Sequence, residues 1–231
     1  MGRASALQCL VLCWTVATPQ LTEQQADQRL HNYSAVVPWG VEFEKWALMA
    51  SDSEIEQVLL KKPVGPLGTA AAAQVERRKK PALFRAAIIA LQRADAQAGE
   101  QIVGLLSRHK EGLKAVEQAA VSHRVSSVRW LAAAKSASWG FKGARPALVQ
   151  ALEKGYDPAA YALGQVGTSK DWKALRSYMI RQANLSATAV GFNRHRGYAR
   201  MALLSLGKLG EPEAVRMLRR EVDSTSEANE R

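Results

Sequence analysis

The chain has 231 residues, enough for a substantial packed core. Its 47% apolar and 23% charged residues exclude a disordered chain, and 39 Ala with 25 Leu against 5 Ile favour helix over sheet. The formal net charge is +11, from 32 Lys plus Arg against 21 Asp plus Glu. That charge is uneven: residues 1–60 carry −4, residues 61–210 carry +17 and residues 211–231 carry −2. A solvated surface is the plain reading of such a body, and an acidic partner surface is the sharper one.

Met1-Gly2-Arg3 precedes fourteen uncharged residues, Ala4 to Ala17, which resemble a secretory-type leader over residues 1–20. The run is shorter than the roughly 20 residues of a membrane span, and no later segment supplies one. If the leader is real, targeting is secretory or organellar; otherwise the chain is expected in the cytoplasm. In the first case Asn32 and Asn184, each followed by x-Ser, become candidate glycosylation acceptors. Both cysteines, Cys9 and Cys13, fall inside this segment, so the rest can hold neither a disulfide framework nor a thiolate zinc site.

Residues 21–62 read as an N-terminal helical arm. Trp39, Phe43, Trp46 and Ala47 share one helical face, and Ser51 with Glu54 spells a capping box before Ile55, Val58 and Leu59. Lys62-Pro63-Val64-Gly65-Pro66-Leu67-Gly68 is the strongest punctuation in the chain, so residues 63–80 are expected as a linker, with the break or kink at 63–69. A helical restart is expected at Ala70 to Ala73, running into the basic knot Arg77-Arg78-Lys79-Lys80. From Pro81 the apolar spacing is regular. Leu83, Ala87, Ala90 and Leu91 mark one helix; Ile102, Leu105 and Leu106 the next; Leu113, Val116 and Ala120 a third; Val128, Leu131 and Ala132 a fourth. Leu148 and Leu152, Ala159 and Leu163, Trp172 and Leu175, Met201 and Leu209, and Val215 and Leu218 continue the series to residue 222, before a polar tail over 223–231. No stretch alternates with the period of a half-buried strand.

Tyr161-Ala162-Leu163-Gly164-Gln165-Val166-Gly167 recurs as Leu204-Ser205-Leu206-Gly207-Lys208-Leu209-Gly210, and the second copy runs on through Glu211-Pro212-Glu213-Ala214-Val215. Gly210 suits a left-handed cap and Pro212 a helix first turn, with Gly167 ending the earlier copy. This segment resembles HEAT-like repeats, in particular the short kind named after phycobilisome lyases, with the pattern A-L-G-x-[IL]-G-[DE]-P-x-A-[VI]-x-x-L. Residues 199–218 follow it well. Residues 160–175 follow its first half, with Ser169 and Trp172 where the proline and alanine belong. Aligned centres at Leu91, Ala134, Leu163 and Leu206 lie 43, 29 and 43 residues apart. The resemblance implies an all-α, right-handed α-solenoid of about four hairpins over residues 81–222, behind the N-terminal arm. It names no catalytic residue.

Catalytic signatures are missing. His31, His109, His123 and His195 lack metal-ligand spacing and read as surface or loop residues, and no nucleophile elbow or phosphate loop occurs. Asp157 and Asp171 read as helix caps. The chain is therefore expected to be no enzyme and to need no cofactor or metal. It reads as a protein-binding scaffold, adaptor or peripheral subunit of a larger complex, with a basic face for an acidic protein surface. RNA or DNA binding is the alternative, and a helper role in bilin attachment rests on the repeat's namesake alone. The expected partner-binding residues are Lys173, Arg176 and Arg181, the cations Arg194, Arg196 and Arg200 of the 184–197 segment (expected as a surface loop), and Trp172 and Tyr178 as aromatic anchors.

Overall fold

In a computed structural model, the backbone is described over residues 41–186 and 192–219, and the side chains over 43–185 and 197–219. The expected leader, all of residues 21–40 with His31, the side chain of His195 and the tail beyond 219 lie outside the described residues. The chain divides into two units, 1–42 and 43–231. The helices are α1 (Val41–Met49), α2 (Asp52–Lys61), α3 (Gly65–Arg78), α4 (Pro81–Leu91), α5 (Ala96–Leu106), α6 (Leu113–Ser122), α7 (Ser126–Ala137), α8 (Arg145–Glu153), α9 (Pro158–Val166), α10 (Trp172–Ser186) and α11 (Phe192–Lys208), with α12 over 212–219. All of them from α2 onward belong to the second unit. Short 3-10 turns, Lys110–Gly112, Lys142–Ala144 and Ser169–Asp171, lead into α6, α8 and α10. The described residues contain no strand.

Local chemistry sets the helix starts. Ser51 and Glu54 close a reciprocal capping box on α2, with the Glu54 N–H donating to Ser51 Oγ at 3.2 Å. Asp95 accepts from the Ala98 N–H at 2.9 Å to cap α5, and its other oxygen takes the Gly65 N–H at 2.6 Å. Proline stands in the first turn of α3, α4, α8 and α9, where its missing N–H costs nothing. Ile55, Leu59, Leu83, Leu91, Ile102, Leu106, Leu148, Leu152, Leu163 and Leu175 are fully buried, each contributing about 1.5–3 kcal/mol of transfer free energy.

The helices contact one another in two series. α3, α5, α7, α9 and α11 each meet the next member of that set, and so do α2, α4, α6, α8 and α10. Successive members of the second series begin at Asp52, Pro81, Leu113, Arg145 and Trp172, 29, 32, 32 and 27 residues apart. Named contacts show which helix ends coincide. Along one edge Arg78 Nη1 meets Asp52 at 2.8 Å, Arg108 meets Glu76 at 2.9 Å, Trp139 Nε1 donates to Glu117 at 2.9 Å and Arg145 Nε meets Asp171 at 2.7 Å. Along the opposite edge, side chains from one helix pair donate to the last carbonyls of the pair before it. Arg93 donates to Leu60 O, Arg124 to Arg93 O at 2.8 Å, His123 Nε2 to Leu91 O at 2.7 Å and Arg181 to Leu152 O at 2.9 Å. These bonds satisfy carbonyls that a helix C-terminus leaves without intrahelical partners.

Four expectations need correction. Most of the expected linker, residues 63–80, is helix α3, which packs on α5 and α2. Pro66 falls in its first turn, where proline begins a helix. The 184–197 stretch is not one surface loop, because α10 runs to Ser186 and α11 starts at Phe192. The centres Leu91 and Ala134 are not equivalent, since Leu91 lies in α4 and Ala134, Leu163 and Leu206 lie in the other series. His123 lies in the loop between α6 and α7, as one form of its expectation had it, but is buried and not at the surface: its Nδ1 accepts from the Val125 N–H at 3.1 Å while its Nε2 donates to Leu91 O of α4.

Candidate partner-binding face

The start of α10 is held by a buried carboxylate. Thr168 and Asp171 form a capping box around the 3-10 turn, with the Thr168 N–H donating to Asp171 Oδ2 at 2.8 Å. Arg145, at the start of α8, donates to both Asp171 oxygens, from Nε at 2.7 Å and from Nη2 at 2.9 Å. The guanidinium pKa is raised, first by this hydrogen bond and then by the Asp171 charge. Asp171 thus sets both the register of α10 and its distance from α8.

That register decides where the expected site residues go. Lys173, Ser177 and Arg181, at i, i+4 and i+8, fall on one face with Tyr178. Together with Lys170, and with Leu152 and Glu153 of α8, they line a groove of about 500 Å³ between α8 and α10. Lys170 and Lys173 are exposed on it. Arg181 lies 5.5 Å from the centre of the Tyr178 ring and is held by its bond to Leu152 O. Tyr178 is only 1% exposed, and its hydroxyl donates to Asp157 Oδ1 at 2.5 Å. Burial first, and then this bond to Asp157, push the phenol pKa far above its ordinary value. Its ring forms the floor of the groove and is no surface anchor. Asp157 makes no side-chain cap on α9: its backbone is already helical there, and its Oδ1 accepts from Tyr178 and Gln182 instead.

Trp172 and Arg176 face away from the groove. The Trp172 Nε1–H donates to Leu209 O at 3.3 Å, and Arg176 pairs with Glu211. Glu211 is buried and caps α12, accepting from the Ala214 N–H at 2.6 Å ahead of Pro212 in the first turn. Gly210, at φ +75°, makes the left-handed turn between α11 and α12, whereas Gly167 closes α9 in extended backbone. Arg200 is exposed on α11, in the other series, and the side chains of Arg194 and Arg196 lie outside the described residues. The structure therefore joins Lys173, Arg181 and Tyr178 at one groove and assigns Trp172 and Arg176 to the seat of α12. Glu153, Ser177 and Asp157 belong to the groove or its support. For Ser177 the signal was its spacing of four from Lys173 and Arg181.

Burial raises the Glu211 pKa, but the Ala214 N–H bond and the Arg176 charge outweigh it, leaving the carboxyl below its ordinary 4.5. A carboxyl depressed on folding stabilises the native state above the unfolded pKa, and that stability is lost as the pH falls through the folded value. Acidification below pH 4.5 is thus expected to release α12, read as faster amide exchange over 212–219 and a shift in Trp172 emission. Glu211→Gln should remove the pH dependence; an unchanged acid transition in that variant would refute this role.

The equivalent groove between α4 and α6 is lined by Ile88, Gln92, Gln118 and Ser122, and carries none of the three cations. Among the described residues, no group of His, Cys, Asp and Glu is placed to hold a metal ion, and no helix is long and apolar enough to cross a membrane. No family model, curated protein or solved structure matches the chain.

Proposed function

We propose that residues 52–219 form a HEAT-like α-solenoid and that the protein is a non-enzymatic scaffold or peripheral subunit that holds an acidic segment of a partner protein in the α8–α10 groove. The observation that carries this reading is the pairing pattern, in which α2/α3, α4/α5, α6/α7, α8/α9 and α10/α11 follow one another through like contacts in both series. Unit lengths of 27 to 32 residues agree with the short repeat better than the 43-residue spacings read from sequence. In such a stack the grooves between neighbouring units are the standard binding surface, and here Lys170, Lys173 and Arg181 single out one of them.

A photo-crosslinking residue at Ser177, used in the source cells, should capture a protein through an acidic segment. Lys170→Glu with Lys173→Glu should weaken that capture by about 2 kcal/mol, roughly thirtyfold, at unchanged helicity. Capture that survives the double reversal would overturn the groove as the site.

A further inference from the structure

The edge of the stack formed by the loops entering α4, α6, α8 and α10 carries a line of cations of which only the last, Lys170, also borders the groove. Lys80, Lys110, Lys142 and Lys170 each stand one to three residues ahead of one of these helices, 30, 32 and 28 residues apart. All four are exposed, and among the described residues none has an ion-pair partner. The nearby carboxylates are engaged elsewhere: Glu76 with Arg108, Glu117 with Trp139 and Asp171 with Arg145. Glu111 is the acidic side chain left open at this edge.

Neighbouring helices in a packed row lie about 8–10 Å apart, so four equivalent lysines make a track roughly 30 Å long. We infer that this edge binds the phosphate backbone of a nucleic acid, at a site that shares only Lys170 with the groove. A line of like cations at a regular interval matches a polymer whose charge also repeats, whereas a folded acidic protein presents no such regular row. Lysine supplies a compact ammonium without the directional fork of arginine, which suits backbone contact without base reading. The expected ligand is accordingly an RNA or DNA strand bound with little sequence preference.

The test uses the full chain with a labelled 20-base-pair duplex and a 20-nucleotide single strand, by anisotropy at 50 to 200 mM KCl. Four phosphate contacts predict a log–log salt slope of about −3 to −4, so binding should weaken about a hundredfold across that range. Lys80→Gln with Lys110→Gln and Lys142→Gln leaves the α8–α10 groove intact and should reduce the slope to about −1 at unchanged helicity. Lys154→Gln, on the opposite edge, should leave it unchanged. The inference is overturned if neither oligonucleotide binds at 50 mM KCl, if the triple variant keeps the parent slope, or if Lys154→Gln has the same effect. Binding to phosphatidylserine vesicles or polyglutamate in place of the oligonucleotides would also overturn it. Loss of Ser177 crosslinking in the groove leaves this prediction standing, so the two readings fail separately.

Discussion

Asp171→Ala is expected to lower the stability of the helical unit by about 3 kcal/mol, more than any exposed substitution in it. The carboxylate is 2% exposed and has three donors, two from Arg145 and one from the Thr168 backbone. Removing it leaves the Thr168 N–H unsatisfied and strips the guanidinium of its partner. A fully buried pair broken from one side costs about 3–5 kcal/mol, but Arg145 keeps 34% of its side chain in water, which pulls the figure to the low end. Loss of the capping box, about 1 kcal/mol, is contained in that figure because the Thr168 N–H bond belongs to both. Asp171→Asn, which retains an acceptor and loses the charge, should cost about half as much. Urea denaturation followed by circular dichroism, with the slope unchanged, measures both variants. A loss below 1 kcal/mol for the alanine variant would show that Asp171 does not hold α10 against α8. The groove gives a second readout: because Lys170 and Lys173 flank the clamp, the alanine variant should also lose crosslinking at Ser177.

How much of the structure was legible in the sequence depends on how far apart the interacting groups are. Leu83, Ala87, Ala90 and Leu91 are buried because apolar spacing along a helix records its own core face, and Ser51 with Glu54 cap α2 because both partners lie within one turn. The all-α class rests on such local signals. The repeat register was not legible in the same way. Helices of both series carry alanine and leucine at helical spacing, so Leu91 could be aligned with Ala134 although their helices belong to different series. In the expected linker, Pro63, Gly65, Pro66 and Gly68 read as breakers. Only a packed partner decides that such residues open a helix, and here Asp95, thirty residues on, takes the Gly65 N–H. Separations of 32 and 21 residues likewise hid His123 from Leu91 and Asp157 from Tyr178. Within the candidate site, charge was legible residue by residue, but its division was not. Lys173 and Arg176 look alike in sequence, and one turn of α10 sends the first to the groove and the second to Glu211.

Gly164→Val should cost about 2–3 kcal/mol and confine its damage to the C-terminal helices. Gly164 lies in α9 where α11 crosses closely: a Cβ there would stand 2.6 Å from Ser205 Oγ and 3.0 Å from Ser205 Cα. Ser205 is itself buried, so its side chain has no free space to turn into, and the backbone of α11 must move. Gly104 in α5 is the contrasting case, with nothing within 4 Å of its Cβ position. Gly104→Ala is therefore expected to raise stability by up to about 1 kcal/mol through helix propensity, while Gly164→Ala lowers it. If α10 and α11 form one unit of a stack in which units couple mainly to their neighbours, the strain at Gly164 stays with that unit and α12. Amide exchange should then accelerate over residues 172–186 and 197–219 in Gly164→Val and keep parent rates over residues 52–137. Uniform acceleration along the whole chain would mean that these helices unfold as one cooperative body, and the nearest-neighbour stack would have to be abandoned.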